Sequence, residues 1–235
     1  GAYLRSLPDS LDIVTLANSE NISTYDREDI PLLQEKSTKV LYRVDYASQA
    51  AILSDAAKLG AFLDKAIATA TELNLNGFAF TGMPLYSGTE AELAARKEAA
   101  KLIVSRLSAA ASGDKLLVLD GDPAFVETSD IEKLDYIVLN TVDITNVTTL
   151  KLLVTGLLDN QSLPKEKLLL AAKINNQIID ETNVKQDAVT VMTERVVSLG
   201  PLGGLAIFAT GDDYYQTKMH YAITRTAIQL MNPSN

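Results

Sequence analysis

The stretch whose reading decides this chain is Leu73–Pro84, LNLNGFAFTGMP. It has the marks of a short buried strand leaving a helix: an Asn-Gly joint, Phe78 and Phe80 alternating with small residues, then Gly82 and Pro84. Barrel enzymes place their working groups at the C-terminal ends of such strands. Yet no carboxylate occurs between Asn74 and Leu85. The strand looks built for chemistry and ends uncharged.

Similar apolar runs recur on both sides of it. Leu11–Ala17 (LDIVTLA), Lys39–Tyr46 (KVLYRVDY), Gly77–Gly82 (GFAFTG) and Lys115–Gly121 (KLLVLDG) read as strands. So do Asp135–Thr141 (DYIVLNT), Lys167–Lys173 (KLLLAAK) and Gly203–Thr210 (GGLAIFAT). Most are apolar on both faces, as parallel strands covered by helices are. Helical patterns separate them. Phe62, Leu63, Ala66, Ile67, Ala70 and Leu73 form one stripe. Thr89 and Glu92 make a capping box ahead of an inner face of Leu93, Ala100, Ile103, Val104 and Leu107. Val189, Met192, Val196 and Leu199 form another stripe, stopped at Gly200-Pro201. A last helix is expected around residues 216–231, using Met219, Ala222, Ile223 and Leu230.

Alternation of this kind predicts a parallel α/β fold. A dinucleotide-binding sheet would need a glycine fingerprint after its first strand, and LANSENIS has none. The expectation is a single domain over 1–235, a TIM (β/α)8-type barrel. Seven strands are legible, so either a first strand lies ahead of Gly1 or the barrel is incomplete and its edges need cover.

Composition narrows the function. The chain has 235 residues, 47% hydrophobic and 22% charged, the balance of an ordinary globular domain. Its formal net charge of −9 argues against a nucleic-acid partner, which would call for clustered Lys and Arg. No apolar run is long enough to span a bilayer, and no secretory signal opens the sequence. With no cysteine, thiolate nucleophiles and thiolate metal sites are excluded, while the redox compartment stays open. His220, the only histidine, falls in the expected last helix, away from strand ends where a triad or zinc site would need it. No cofactor and no metal are expected; an oxygen-ligand cation site at DGDP is the weaker thought.

The order of motifs resembles the family 18 glycoside hydrolases, the barrel group of chitinases and endo-β-N-acetylglucosaminidases, and within it a divergent branch from glycan-utilisation systems of gut bacteria. Four places carry the likeness: SLPDSLDIVTLANSENISTYDREDIPLLQEKSTKVLYRVDY; AIATATELNLNGFAF; KLLVLDGDP followed by LDYIVLNT; and GGLAIFAT. The resemblance implies a fourth strand reading D-G-x-D-x-D-x-E. There the Glu is the general acid and the preceding Asp orients the substrate's N-acetyl group, whose carbonyl oxygen attacks. Laid on that pattern, Asn76, Gly77, Ala79, Thr81 and Met83 take the D, G, D, D and E places, and only the glycine matches. A thioether has no proton to give. The family's strand-six Tyr is represented near Val142 by no phenol, and its strand-eight Trp by Phe208.

The resemblance therefore implies the fold without the catalytic groups. The first expectation is an inactive family 18-like protein that binds N-acetylglucosamine-containing glycans or acts as a scaffold with other glycan-utilisation proteins, secreted or at the cell envelope. Ligand contacts are expected from Tyr46, Tyr86, Tyr214 and Tyr215 on the rim, with Phe208 and the amides of Asn140 and Asn76. The second is an active glycosidase with relocated carboxylates drawn from Asp45, Asp120, Asp122, Asp143, Asp212 and Asp213; the alternative is that these cap helices or make turns. The third is a protein-interaction module with no sugar ligand.

Overall fold

The computed structural model describes residues 10–16, 19–46, 51–82, 88–208 and 216–222. The chain divides into two compact units, one of Thr15–Gln34 with Lys39–Ile137, the other of Gly1–Val14, Glu35–Thr38 and Val138–Asn235.

β1 (Ser10–Leu16) belongs to the second unit as far as Val14, and in the first unit the chain enters α1 (Thr24–Glu35), a helix that the sequence pattern did not announce. Pro31 lies inside α1, and Ile30 is its buried residue. Three parallel strands follow: β2 (Thr38–Asp45), β3 (Gly77–Gly82) and β4 (Leu116–Gly121). Tyr42 stands opposite Phe78, and Phe78 opposite Leu117, so the three run in step.

Between them lie α2 (Ala56–Glu72) and α3 (Glu90–Ala110). Leu59, Leu63, Ala66 and Ala70 form the buried side of α2, close to the expected stripe. Asp55 caps that helix by accepting from the Lys58 amide at 3.1 Å. The Thr89–Glu92 capping box of α3 is present as expected, and its buried face runs Ala99, Ala100, Ile103, Val104 and Leu107. Arg106 of α3 pairs with Asp64 of α2. The short α4 (Thr128–Ile131) then leads to β5 (Tyr136–Val138), less than half the length the pattern suggested. Asp135 prepares that entry: its amide donates to the Leu117 carbonyl at 2.8 Å and its carboxylate accepts from the Leu117 amide at 2.8 Å.

In the second unit, α5 (Val147–Asp159), capped by Asn146, precedes β6 (Leu168–Lys173). A hairpin then intervenes, β7 (Gln177–Ile179) against β8 (Lys185–Asp187), before α6 (Ala188–Ser198) and β9 (Gly204–Phe208). α6 begins at Ala188, where the Asp187 carboxylate accepts from the Thr190 amide at 3.0 Å, and it carries the expected Val189, Met192 and Val196 on its buried side. β6 and β9 pair in parallel.

One expectation is overturned. Residues 216–222 are not helix but strand, β10 (Gln216–Ala222), antiparallel to β9 with His220 opposite Leu205. Residues 223–231 of that expected helix lie outside the described residues. The sequence QTKMHYA alternates polar and apolar nearly as well at period two as at 3.6, and pairing with β9 decides it. Strands joined by helices, with parallel pairing inside each unit, make the fold class α/β as expected. Among the described residues no helix is long and apolar enough to cross a membrane.

Candidate functional site

Because β2, β3 and β4 are parallel and in register, residues at one level point the same way. Asp45, Thr81 and Asp120 are partners at the last full level. Arg43, Ala79 and Val118 sit two residues earlier on that same face. The alternate residues Val44, Phe80 and Leu119 are fully buried apolar side chains on the other face. One face of this sheet therefore ends in a polar row, two carboxyl groups flanking a threonine with a guanidinium behind them.

The row is held together by its own contacts. The Thr81 hydroxyl donates to Asp45 Oδ1 at 3.2 Å. Arg43 reaches the other oxygen of Asp45 at 3.8 Å. The Arg43 amide donates to the Ser19 hydroxyl oxygen at 2.7 Å, which fixes the strand just after β1 ends. Asp120 is half-buried, and loss of water around its carboxyl, with some repulsion from Asp45, pushes its pKa up to about 6 against the pull of Arg43. Near neutrality this group can both hold and release a proton.

The family motif positions now have physical roles. Gly77 has φ of 134°, and a Cβ built there would run into the Leu116 carbonyl of β4. The one matching motif residue is demanded by backbone geometry rather than by chemistry. Asn76 lies at the opposite end of β3 from Thr81; its side-chain oxygen accepts from the Val40 amide at 2.8 Å and from Gln34 Nε2 at 2.9 Å. It splices β2 to β3, the backbone-satisfying role weighed for it. Ala79 is buried, and Thr81 is only 8% exposed. Met83 lies outside the described residues.

The remaining candidates separate. Tyr46 is not on a rim: it is buried, its ring is 6.4 Å from that of Phe80, and burial raises its pKa to about 12. By alternation it belongs to the face opposite Asp45. Asp122 caps a turn by accepting from the Ala124 amide at 2.8 Å, one of the roles weighed for it. Asp143 and Asn140 are exposed beside a turn in the second unit. Next to them Thr141 is completely buried, its hydroxyl accepting from the Ala171 amide and donating to the Ala171 carbonyl, both at 2.7 Å. Phe208, half-buried at the end of β9, stands opposite Lys173 of β6. Tyr86, Asp212, Asp213, Tyr214 and Tyr215 lie outside the described residues, and the backbone of β10 places His220 in a strand.

Sequence reasoning passed over Arg43. A signal was there: in LYRVDY two charged residues two apart interrupt an otherwise apolar strand, which puts both on one face. Among the described residues no group of three His, Cys, Asp or Glu side chains could hold a metal ion.

No protein-family model matches the chain, and no curated protein does. Solved structures do. An endo-β-N-acetylglucosaminidase from Cordyceps militaris is 16% identical, with a TM-score of 0.63 over 98% of this chain and 84% of that one. A chitinase of glycoside hydrolase family 18 from Pseudoalteromonas aurantia is 14% identical, with a TM-score of 0.59 over 89% of each. A chitinase-like agglutinin from Robinia pseudoacacia is 14% identical, with a TM-score of 0.59 over 94% of this chain and 91% of that one. At such identities the likeness speaks for the fold alone. The chain has the TIM-barrel α/β fold of the family 18 glycoside hydrolases.

Proposed function

We propose that this protein is a family 18-type barrel without hydrolase activity that binds N-acetylglucosamine-containing glycans. It would serve as a binding component of a glycan-utilisation system, secreted or held at the cell envelope. The observation that carries the reading is Thr81. It stands where the family pattern places a carboxylate, it is buried, and its hydroxyl proton is committed to Asp45. Ala79, two residues earlier, offers no charge, and the sequence gives Met at 83. General acid catalysis is worth about 10²–10⁴-fold, and the motif strand has no group to supply it. What stays is a polar row suited to hydroxyl groups: Asp45 accepts, and a protonated Asp120 donates. The likeness to a chitinase-like agglutinin fits a barrel of this fold kept for binding.

Calorimetric titration with chitin oligomers and N-glycans tests this. Binding by the wild type, weakened about tenfold or more in Asp120→Ala, is expected, on the scale of one hydrogen bond to a charged or ionisable group. No heat of binding with any of these glycans would overturn it.

A second reading is favoured by one observation, the carboxyl of Asp120 with its pKa near 6. Asp45 and Asp120 are two strands apart, about 10 Å between backbones, so their carboxyl groups could flank a glycosidic bond. In that reading Asp120 is the proton donor, and Asp120→Asn abolishes turnover.

A further inference from the structure

Lys173 ends β6 and is the Cα partner of Phe208, the last residue of β9. Period-two alternation puts both on the face that carries Ala171 and Ala206 one level below. Those methyl groups offer an ammonium no counter-charge. The other face, with Leu168, Leu170, Leu205 and Ile207, is a buried apolar layer. The strand ends are tied by the Ile174 amide, which donates to the Phe208 carbonyl at 2.9 Å, and the Asn176 amide, which donates to the Lys173 carbonyl at 3.1 Å. Beside them Ile174 is 42% exposed and Asn175 is exposed.

Lys173 is half-buried, and among the described residues no carboxylate pairs with it, although the chain has 30 acidic residues against 21 basic ones. Where no described carboxylate meets the ammonium, an arriving anion supplies the counter-charge that partial burial favours. Next to it lie an aromatic ring and an exposed isoleucine, which suit the apolar face of a pyranose, and an amide that can meet its hydroxyls.

We propose that Lys173, beside Phe208, is the contact for an anionic substituent, carboxylate or sulfate, on a bound saccharide. This rests on the glycan-binding reading and names the class of glycan: acidic rather than neutral. The chain's overall negative charge repels anions at long range, so the preference comes from short contact and screens with salt.

The test is titration of the full chain with three probes: a sialylated N-glycan, the same glycan after sialidase, and a sulfated chitin trimer. The wild type should bind the sialylated and sulfated probes about tenfold tighter than the neutral one, the scale of one hydrogen bond to a charged group. Lys173→Gln should remove the preference and leave affinity for the neutral glycan unchanged; Lys173→Arg should keep most of it. Tighter binding of only one acidic probe identifies the substituent as carboxylate or sulfate. Equal affinity for neutral and acidic probes, or a preference that survives Lys173→Gln, overturns the inference and leaves the glycan-binding reading intact. Binding of none of the three overturns both.

Discussion

Thr81 and Asp45 are partners across the β2–β3 ladder, and the threonine hydroxyl donates to the aspartate at 3.2 Å. That bond accounts for a neutral residue at a place where the family pattern has an acid. A carboxylate at 81 would meet Asp45 on one side and Asp120 on the other, with Arg43 two residues before Asp45 on that face. Thr81→Asp should therefore lower stability above about pH 6 by roughly 1–2 kcal/mol and should not produce hydrolysis. Denaturant unfolding at pH 5 and pH 8, with a chromogenic N-acetylglucosaminide assay alongside, checks both halves.

Asp120 predicts a stability slope. Its folded pKa is raised from 3.8 to about 6, so between those values the folded state holds a proton that the unfolded chain has released. Stability then falls as pH rises from about 4 to 6 and levels off above. Asp120→Asn should remove this contribution and stabilise the protein above pH 6, on the order of 1–3 kcal/mol. Thermal melts of wild type and variant across pH 4–8 should diverge as pH rises; parallel curves would show Asp120 to be an ordinary carboxylate.

Asn76 predicts a structural cost without a binding one. Removing its side-chain oxygen leaves the Val40 amide unpaired beside buried β3, which costs about 1–3 kcal/mol. Asn76→Ala should unfold at lower denaturant with unchanged glycan affinity, whereas Asn76→Asp should keep both acceptor bonds and the wild-type midpoint.

Gly77→Ala should be worse. Its φ of 134° and the nearness of the Leu116 carbonyl leave no room for a methyl group, so β3 and β4 must part. Loss of soluble protein, or destabilisation of several kcal/mol, is expected; a wild-type melting temperature would contradict this account of the one retained motif residue.

These cases also show where the sequence was readable. GFAFTG and KLLLAAK announced their strands because each is apolar, short and bounded by turn residues. TEAE gave a capping box by spacing alone. α1 was hidden by Pro31 and by having a single buried residue, so it had little apolar stripe to show. QTKMHYA was misread because seven residues fit two periods and a partner strand decides between them. At the site, alternation sufficed to group Arg43 with Asp45, but only register between strands brings Asp45, Thr81 and Asp120 to one level. Tyr46 follows a strand and so reads as a rim residue; its parity, opposite to Asp45, puts it against Phe80 instead.

The most direct measurement of the central claim is product release from N-glycans, chitin oligomers and a chromogenic N-acetylglucosaminide, at enzyme concentrations high enough to see a rate thousands of times below that of an active relative. The account predicts no release above the uncatalysed background at any pH from 4 to 8, in the same preparation that binds the glycans. Turnover in the wild type that disappears in Asp120→Asn would contradict it and make this barrel an enzyme with displaced acids.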